Sequence, residues 1–526
     1  MSSSVTAALE AAVVVACVCR LHLASWGPLT ASLLLLAVQT FYTQPKWGRL
    51  IGASPTLGAA FRSGSASACG LLAGGLAVPL VAAALAHRCA GTAAKAAAVS
   101  AALSSSLLLS LTSLVGLLLT RPLPRRTCAI YVATTALAVH ALRGGGAGAD
   151  GAAAIAGLLL ASAAFLLLLL VALPGSLSLG EALVVAEGLG APAHCLATWT
   201  VASGGGAKRD ELTSVLLVVS AGAVVAGAVF SLLFRFMTSN HLARAVYFYG
   251  LCLVFALGIL LPWLQHLFHS DPLLWLADFL SRPRDRRYTL AYWAFLLAGA
   301  VALAAALGGA AWPAGGALPR TAARKAFHAF AVAAFLPGLA RDRALLHLAS
   351  VAAAAAFLGL EYARAFDVRP LGGILRASLP ALVDERDSGP LVLTHIYLLL
   401  GMALPLWLSW PACCPLAGAA VGLPSLAPYA GVLALGVGDA VASVFGSGLG
   451  CCRWPGTCKT VEGTVASVFA QVMVLALVAV ADGAVRLGSE YAAVLVCVTL
   501  AALLEAFTAQ IDNLLLPLYA FALFLA

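Results

Sequence analysis

Long apolar runs separated by short polar connections fill this chain from end to end. Crossing a bilayer as a helix takes about 20 apolar residues. Candidate runs fall near 5–25, 28–43, 67–88, 93–120, 128–142, 151–173, 211–234, 245–266, 289–310, 322–340, 344–363, 391–410, 425–445, 463–481, 490–506 and 511–526. The segment 178–202 carries Glu181, Glu187 and His194, and reads as interfacial or internally packed. The pattern predicts an all-α, polytopic integral membrane protein with roughly 15 transmembrane helices. Ala and Gly recur at small-xxx-small spacing, which suits close packing of such helices.

Polar residues are unevenly spread. Residues 1–310 form an N-terminal multispanning region whose polar groups look like connecting loops. Residues 311–526 form a C-terminal region in which polar groups gather at Arg320–His328, Glu361–Gly389, Gly436–Gly463 and Glu505–Asn513. Two predicted spans separate each cluster from the next, so an even number of crossings returns the chain to one membrane face each time. Arg341–Arg343, Cys413–Pro424 and Asp482–Glu490 fall on the other face. Arg282–Arg287 lies one span from the clusters, also opposite to them. Convergence of this kind is what a site assembled from several loops requires.

Composition agrees with the pattern. Hydrophobic residues make up 62% and charged residues 10%, against about 25% charged in soluble domains. The net charge of +9 comes from basic residues in short connections such as Arg121–Arg126 and Arg282–Arg287. There they meet lipid headgroups or a phosphorylated substrate; no basic tract interleaved with aromatics points to nucleic acid. The 13 cysteines are odd in number and scattered, unlike a disulfide framework. Glu10 is a lone acid in the first apolar stretch, which reads as a membrane helix and not a cleaved signal.

The most informative stretch is 436–463, GVGDAVASVFGSGLGCCRWPGTCKTVEG. Asp439 lies near the end of an apolar helix, where an unpaired carboxylate is costly. A loop with Gly446, Gly448, Gly450 and Gly456 follows, and then Lys459, Thr460 and Glu462 enter another apolar run. Glycines admit close approach of phosphate oxygens, and a helix N-terminus offers N–H groups to an anion. Lys459 supplies a point charge for phosphates, and Asp439 and Glu462 are candidate Mg²⁺ ligands. No Walker loop is present, and spacing alone leaves open a re-entrant turn with a buried Asp–Lys pair.

Residues 436–471, ending VASVFAQ, resemble the CTP-binding region of dolichol kinases. So do DERDSGPLVLTHIYLLLGMALPLWL (384–408) and LLEAFTAQIDNLLLPLY (503–519), while RKAFH (324–328) is similar to the RK-x-x-H motif of polyprenol kinases. The blocks cover roughly 200 C-terminal residues in family order. At Cys458 the family commonly has a second lysine.

The resemblance implies that CTP phosphorylates dolichol, giving CDP and dolichyl phosphate for glycosylation, in the endoplasmic reticulum membrane. It implies nucleotide contacts from Gly446, Ser447, Gly448, Leu449, Gly450, Arg453, Trp454, Pro455, Gly456, Thr457, Lys459, Thr460, Glu462 and Gly463, with Arg324 and Lys325 as further phosphate contacts. Arg453 and Trp454 would grip phosphate and stack on the cytosine. His328 is a candidate acceptor for the alcohol's proton. Asp384, Glu385 and Asp387 are candidates to assist metal binding, and Glu505, Gln510, Asp512 and Asn513 to line the site. Two other readings stand beside this one. A cytidylyltransferase acting on a lipid phosphate shares the K-T-x-E-G segment, and a lipid transporter shares only the many spans.

Overall fold

Helices satisfy every backbone N–H and C=O within one segment, so apolar runs that meet hydrocarbon must adopt them. A computed structural model describes residues 2–24, 27–62, 69–89, 92–119, 149–202, 211–235, 240–268, 270–283, 285–308, 320–378, 391–409, 423–482 and 490–526. Among these residues there are helices and no β-strands. In chain order they are α1 (Ser2–Ala24), α2 (Pro28–Ala53), α3 (Pro55–Ala60), α4 (Ala73–Arg88), α5 (Thr92–Leu118), α6 (Ala149–Ala172) and α7 (Leu179–Ala202). Next come α8 (Glu211–Arg235), α9 (His241–Leu267), α10 (Pro272–Ser281), α11 (Asp285–Gly308), α12 (Arg320–Arg341), α13 (Arg343–Ala365), α14 (Leu371–Ser378) and α15 (Thr394–Leu408). The last four are α16 (Val432–Leu449), α17 (Val461–Asp482), α18 (Tyr491–Phe507) and α19 (Asp512–Leu525).

Nine of the described helices are long and apolar enough to cross a membrane, and five further apolar helices are shorter. The expected count of roughly 15 is therefore not met by length and composition among the described residues. The run 128–142 lies outside them.

The chain forms two compact units, Met1–Ala191 with Leu404–Ala526, and Pro192–Ala403. These boundaries differ from the division at residue 310. The first 191 residues share a unit with the glycine-rich stretch, and their interior explains why. At the centre of this unit lies α19, buried from Asn513 to Leu525; a helix that is apolar all round belongs inside. It packs on α4, α1 and α18, and the Tyr519 hydroxyl donates to the Ala73 carbonyl at 2.8 Å.

The unit's interior is also where its polar groups go. On α17, Val465, Phe469, Met473, Leu477 and Val480 are exposed along one stripe, the face that lipid accepts. Thr464, Ser467 and Gln471 are buried on the opposite stripe, with the Gln471 amide donating to Ser467 Oγ at 3.1 Å.

Segment 178–202 packs internally over its first turns. Glu181 is fully buried and pairs with Arg62 at 2.7 Å. Its carboxylate also accepts the N–H groups of Ser178 and Ile511, both at 2.9 Å. Ser178 Oγ donates to Gln510 at 2.5 Å, and Thr508 Oγ1 donates to Glu10 at 2.9 Å. The turn between α18 and α19 is thus held by α1 and α7.

In the second unit, α12 and α13 form the expected antiparallel hairpin. Arg286 pairs with Asp342 at 2.6 Å, which puts the Arg282–Arg287 connection at the Arg341–Arg343 end of that hairpin, as the crossing count requires. Tyr362 and Ser231 hydroxyls meet at 2.7 Å.

Removing one partner of a buried ion pair typically costs about 3–5 kcal/mol. Glu181→Ala also strips two buried N–H groups of their acceptor. We expect it to lower the thermal midpoint of the detergent-solubilised protein sharply, while Arg62→Met/Glu181→Leu, which leaves no uncompensated charge, loses less. Equal midpoints for wild type and Glu181→Ala would refute the role of this pair.

Candidate active site

Two close-packed helices and the turn between them build the site. The α16–α17 crossing is made by glycines. A Cβ on Gly463 would lie 2.7 Å from the Ala442 carbonyl oxygen and 3.2 Å from Gly446 Cα, and one on Gly446 would lie 2.8 Å from Thr460 Oγ1. Further along, Gly438 faces the polar stripe of α17, its hypothetical Cβ 2.6 Å from Gln471 Nε2. The turns from Val432 to Asp439 are π-helical, a rare geometry that concentrates at functional sites. It ends at Asp439, which is 1% exposed.

The connecting segment runs from Gly450 to Thr460. Arg453 and Thr460 form an antiparallel bridge, flanked by Val461 N–H to Cys452 O at 2.8 Å and Trp454 N–H to Lys459 O at 3.0 Å. The tip, Trp454-Pro455-Gly456-Thr457, closes with Thr457 N–H to Trp454 O at 3.2 Å. Proline as the second and glycine as the third residue are what a type II turn demands, and Gly456 has φ +76°. The tip is tied at three points. Thr6 Oγ1 of α1 donates to Gly456 O at 3.0 Å, Trp454 Nε1 donates to Thr464 Oγ1 at 2.9 Å, and the Trp454 ring meets Phe507 edge-on at 5.3 Å.

This geometry aims Lys459 inward. Its ammonium pairs with Glu505, in the last turn of α18, where the carboxylate is 4% exposed. Burial by itself lowers the lysine's proton affinity, but the carboxylates of Glu505, Asp439 and Asp512 outweigh it and hold the pKa above its ordinary 10.5. A lysine pKa raised in the folded state contributes stability below its unfolded value and loses it as pH rises through the folded one. The ammonium is therefore charged, and its contribution complete, across the neutral range.

Asp439, Lys459, Glu505 and Asp512 thus come together in the first unit. Ser443 Oγ lies 3.5 Å from Asp439 Oδ1. Glu462, in the first turn of α17, accepts the Cys452 N–H at 2.9 and 3.2 Å and braces the loop from behind. Pro455 and Gly456 are exposed and Thr457 half-buried; Thr457 Oγ1 accepts the Lys459 N–H at 3.1 Å. Arg453 and Cys458 are exposed.

One expectation is corrected. Gly446, Ser447, Gly448 and Leu449 continue α16 as a helix, because the α16–α17 crossing depends on Gly446. Their N–H groups are hydrogen-bonded within the helix, so the loop itself is shorter, Gly450–Thr460.

Within the second unit, His328 is buried and Lys325 half-buried on α12. Glu361 is taken by Arg364 at 2.8 Å and by the Val392 N–H. The side chain of Arg324, and Asp384, Glu385 and Asp387, lie outside the described residues.

Sequence reasoning missed the bracing groups Thr6, Glu10, Glu181, Ser178, Thr464 and Phe507. The Pro-Gly pair announces the turn, and Glu10 is an acid in an otherwise apolar helix. Nothing in the sequence pairs them with positions 450 and 498 residues away.

A family model described as Dolichol kinase matches residues 1–399 of the chain. A dolichol kinase of Mus musculus is 40% identical over all of this chain and 98% of its own length. One from Homo sapiens is 40% identical over all of this chain and 97% of its own. One from Arabidopsis thaliana is 32% identical over 67% of this chain and 65% of its own. No solved structure is a significant match. The full-length relatives, unlike the family model, extend through the glycine-rich stretch.

The glycine crossing makes a sharp contrast between neighbouring positions. Gly463→Ala should lower the thermal midpoint and the activity together, since its methyl meets backbone. Gly448→Ala has open space within 4 Å and replaces a poor helix former, so its midpoint should hold or rise slightly. A Gly463→Ala protein as stable and active as wild type would show that the crossing is looser than described.

Proposed function

The chain belongs to the dolichol kinase family, and from that premise we propose that it transfers the γ-phosphoryl group of CTP to the hydroxyl of dolichol, releasing CDP and dolichyl phosphate. It is a multi-pass membrane protein, and the proposed location is the endoplasmic reticulum membrane. The observation that carries the reading is the Lys459 ammonium, held charged among Glu505, Asp439 and Asp512 at the base of a glycine-bearing turn.

In phosphoryl transfer most of the work is positioning and neutralisation of charge. Lys459 would take β- and γ-phosphate oxygens, and exposed Arg453 would add a second cation at the rim. The Trp454 indole, fixed by Thr464 and Phe507, is the aromatic surface offered to the cytosine. In the second unit, Arg324 and Lys325 are further proposed phosphate contacts.

The donor set fits Mg²⁺, which binds through one or two carboxylates and substrate phosphates and keeps several waters. Asp439 is a hard oxygen ligand beside the lysine, and Glu462 is the second proposed ligand, once released from Cys452. Bound there, Mg²⁺ would neutralise charge on the triphosphate. His328, buried on α12, is a second candidate acceptor for the alcohol's proton.

The reading is tested with purified protein, dolichol, and γ-labelled CTP or ATP in parallel. Label should reach the lipid from CTP, with CDP as the other product; pyrophosphate would instead identify a cytidylyltransferase. Lys459→Ala and Asp439→Asn should each abolish transfer while the protein still inserts in membranes. Near-wild-type transfer by both would refute the site.

A further inference from the structure

We infer that Glu505 is the proton acceptor for the lipid alcohol, released for that role when the nucleotide's phosphates draw Lys459 away from it. This assignment rests on the kinase reading above. Three observations lead to it. Glu505 is a carboxylate at 4% exposure on an otherwise apolar helix. Its hydrogen-bond partner is the same ammonium that is proposed to bind the triphosphate. Finally, the segment that follows it is held rigid, with Thr508 bound to Glu10, Gln510 to Ser178 and Ile511 to Glu181.

A γ-phosphate gripped by Lys459 must arrive within one side chain's reach of Glu505. Ammonium shared with, or moved to, phosphate leaves the buried carboxylate short of its counter-ion, and a carboxylate so placed is a stronger proton acceptor. The other acids near the lysine are less suited. Asp439 is assigned to the metal, and Asp512 Oδ1 accepts the backbone N–H of Asn513 at 3.0 Å. The charged groups facing Glu505 are Lys459 from the turn, Asp439 from α16 and Asp512 from α19. From α1, Glu10 approaches through Thr508, three residues on.

The step balances without a further reactant. The alcohol O–H proton passes to a Glu505 carboxylate oxygen as the alcohol oxygen bonds to the γ-phosphorus. The bond from that phosphorus to the β–γ bridging oxygen breaks, and its electron pair leaves with the nucleoside diphosphate. Positioned proton transfer of this kind contributes typically about 10²–10⁴-fold.

The experiment compares wild type, Glu505→Gln, Glu505→Asp and His328→Gln as full-length protein. It reads kcat against pH with CTP and dolichol, equilibrium CTP binding, and the thermal midpoint. Glu505→Gln keeps a hydrogen-bond acceptor for Lys459, so it should bind CTP within a few-fold of wild type. Its kcat should drop by at least about 100-fold, the low end of the range for such a group. The acid limb of the wild-type profile, where rate rises as the base loses its proton, should vanish in Glu505→Gln and persist in His328→Gln. Glu505→Asp should restore part of kcat together with the limb, which tests the role even if the glutamine variant folds poorly.

The assignment is overturned if Glu505→Gln keeps its kcat, if it loses CTP affinity with kcat and limb intact, or if the limb follows His328 instead. Wild-type protein that binds no CTP and labels no lipid would overturn the kinase reading itself, an outcome distinct from any of these.

Discussion

Glu505 sits almost wholly out of contact with solvent, on a helix whose other residues are alanine, leucine, valine and aromatics with one cysteine and one threonine. An isolated carboxylate in such a place would be expensive enough to neutralise itself or to unfold its surroundings. The Lys459 ammonium makes it tolerable. To deliver that ammonium the chain must leave one membrane helix, turn tightly and enter the next, with the lysine pointing in and not out. The type II turn at Pro455-Gly456, the two-residue ladder through Arg453 and Thr460, and the glycine crossing of α16 and α17 all serve that placement.

The same economy of polar groups accounts for the N-terminal region. Membrane helices gain little from hiding apolar surface in one another, since lipid is just as apolar. What holds them in register is small residues at crossings and polar groups that find partners inside. In the first unit α1 supplies Thr6 to the turn and Glu10 to Thr508, α2 offers the Gln44 side-chain oxygen Oε1 to the Leu72 N–H at 2.7 Å, and α7 supplies Glu181. These helices do more than anchor the chain; they fix the two segments that carry Lys459 and Glu505.

Much of this was legible in the sequence, for physical reasons that differ from element to element. Apolar runs announce helices because hydrocarbon permits few alternatives, and α12, α13 and α17 follow their runs within a few residues. Parity of crossings put the 436–463 and 505–513 clusters on one side, and the Lys459–Glu505 pair joins them. At the other end of those helices, the Leu423 N–H bonded to Glu490 joins two segments assigned together to the opposite side. The glycines misled where helix and loop compete: Gly446 and Gly448 read as a phosphate loop, but a glycine needed for close approach between helices looks identical in sequence to one needed for a turn. Pairings such as Thr6 with Gly456 are invisible for another reason. They join positions 450 residues apart through hydroxyls and carbonyls that any helix carries, and only the packing of α1 selects them.

Charge counting bears on the proposed nucleotide. Around one ammonium the first unit places the carboxylates of Asp439, Glu505 and Asp512. A cluster with three acids and one base has the wrong sign for a bare triphosphate, which would meet net repulsion at close range in a site of low polarity. It has the right sign for a triphosphate that carries a divalent cation. Asp439 would hold such an ion with the phosphates, and Lys459 would then turn from Glu505 to a phosphate. The ion pair is thus best understood as the resting half of an exchange. The carboxylate that gives up the lysine, Glu505, is then the one left without its counter-ion and placed to receive a proton.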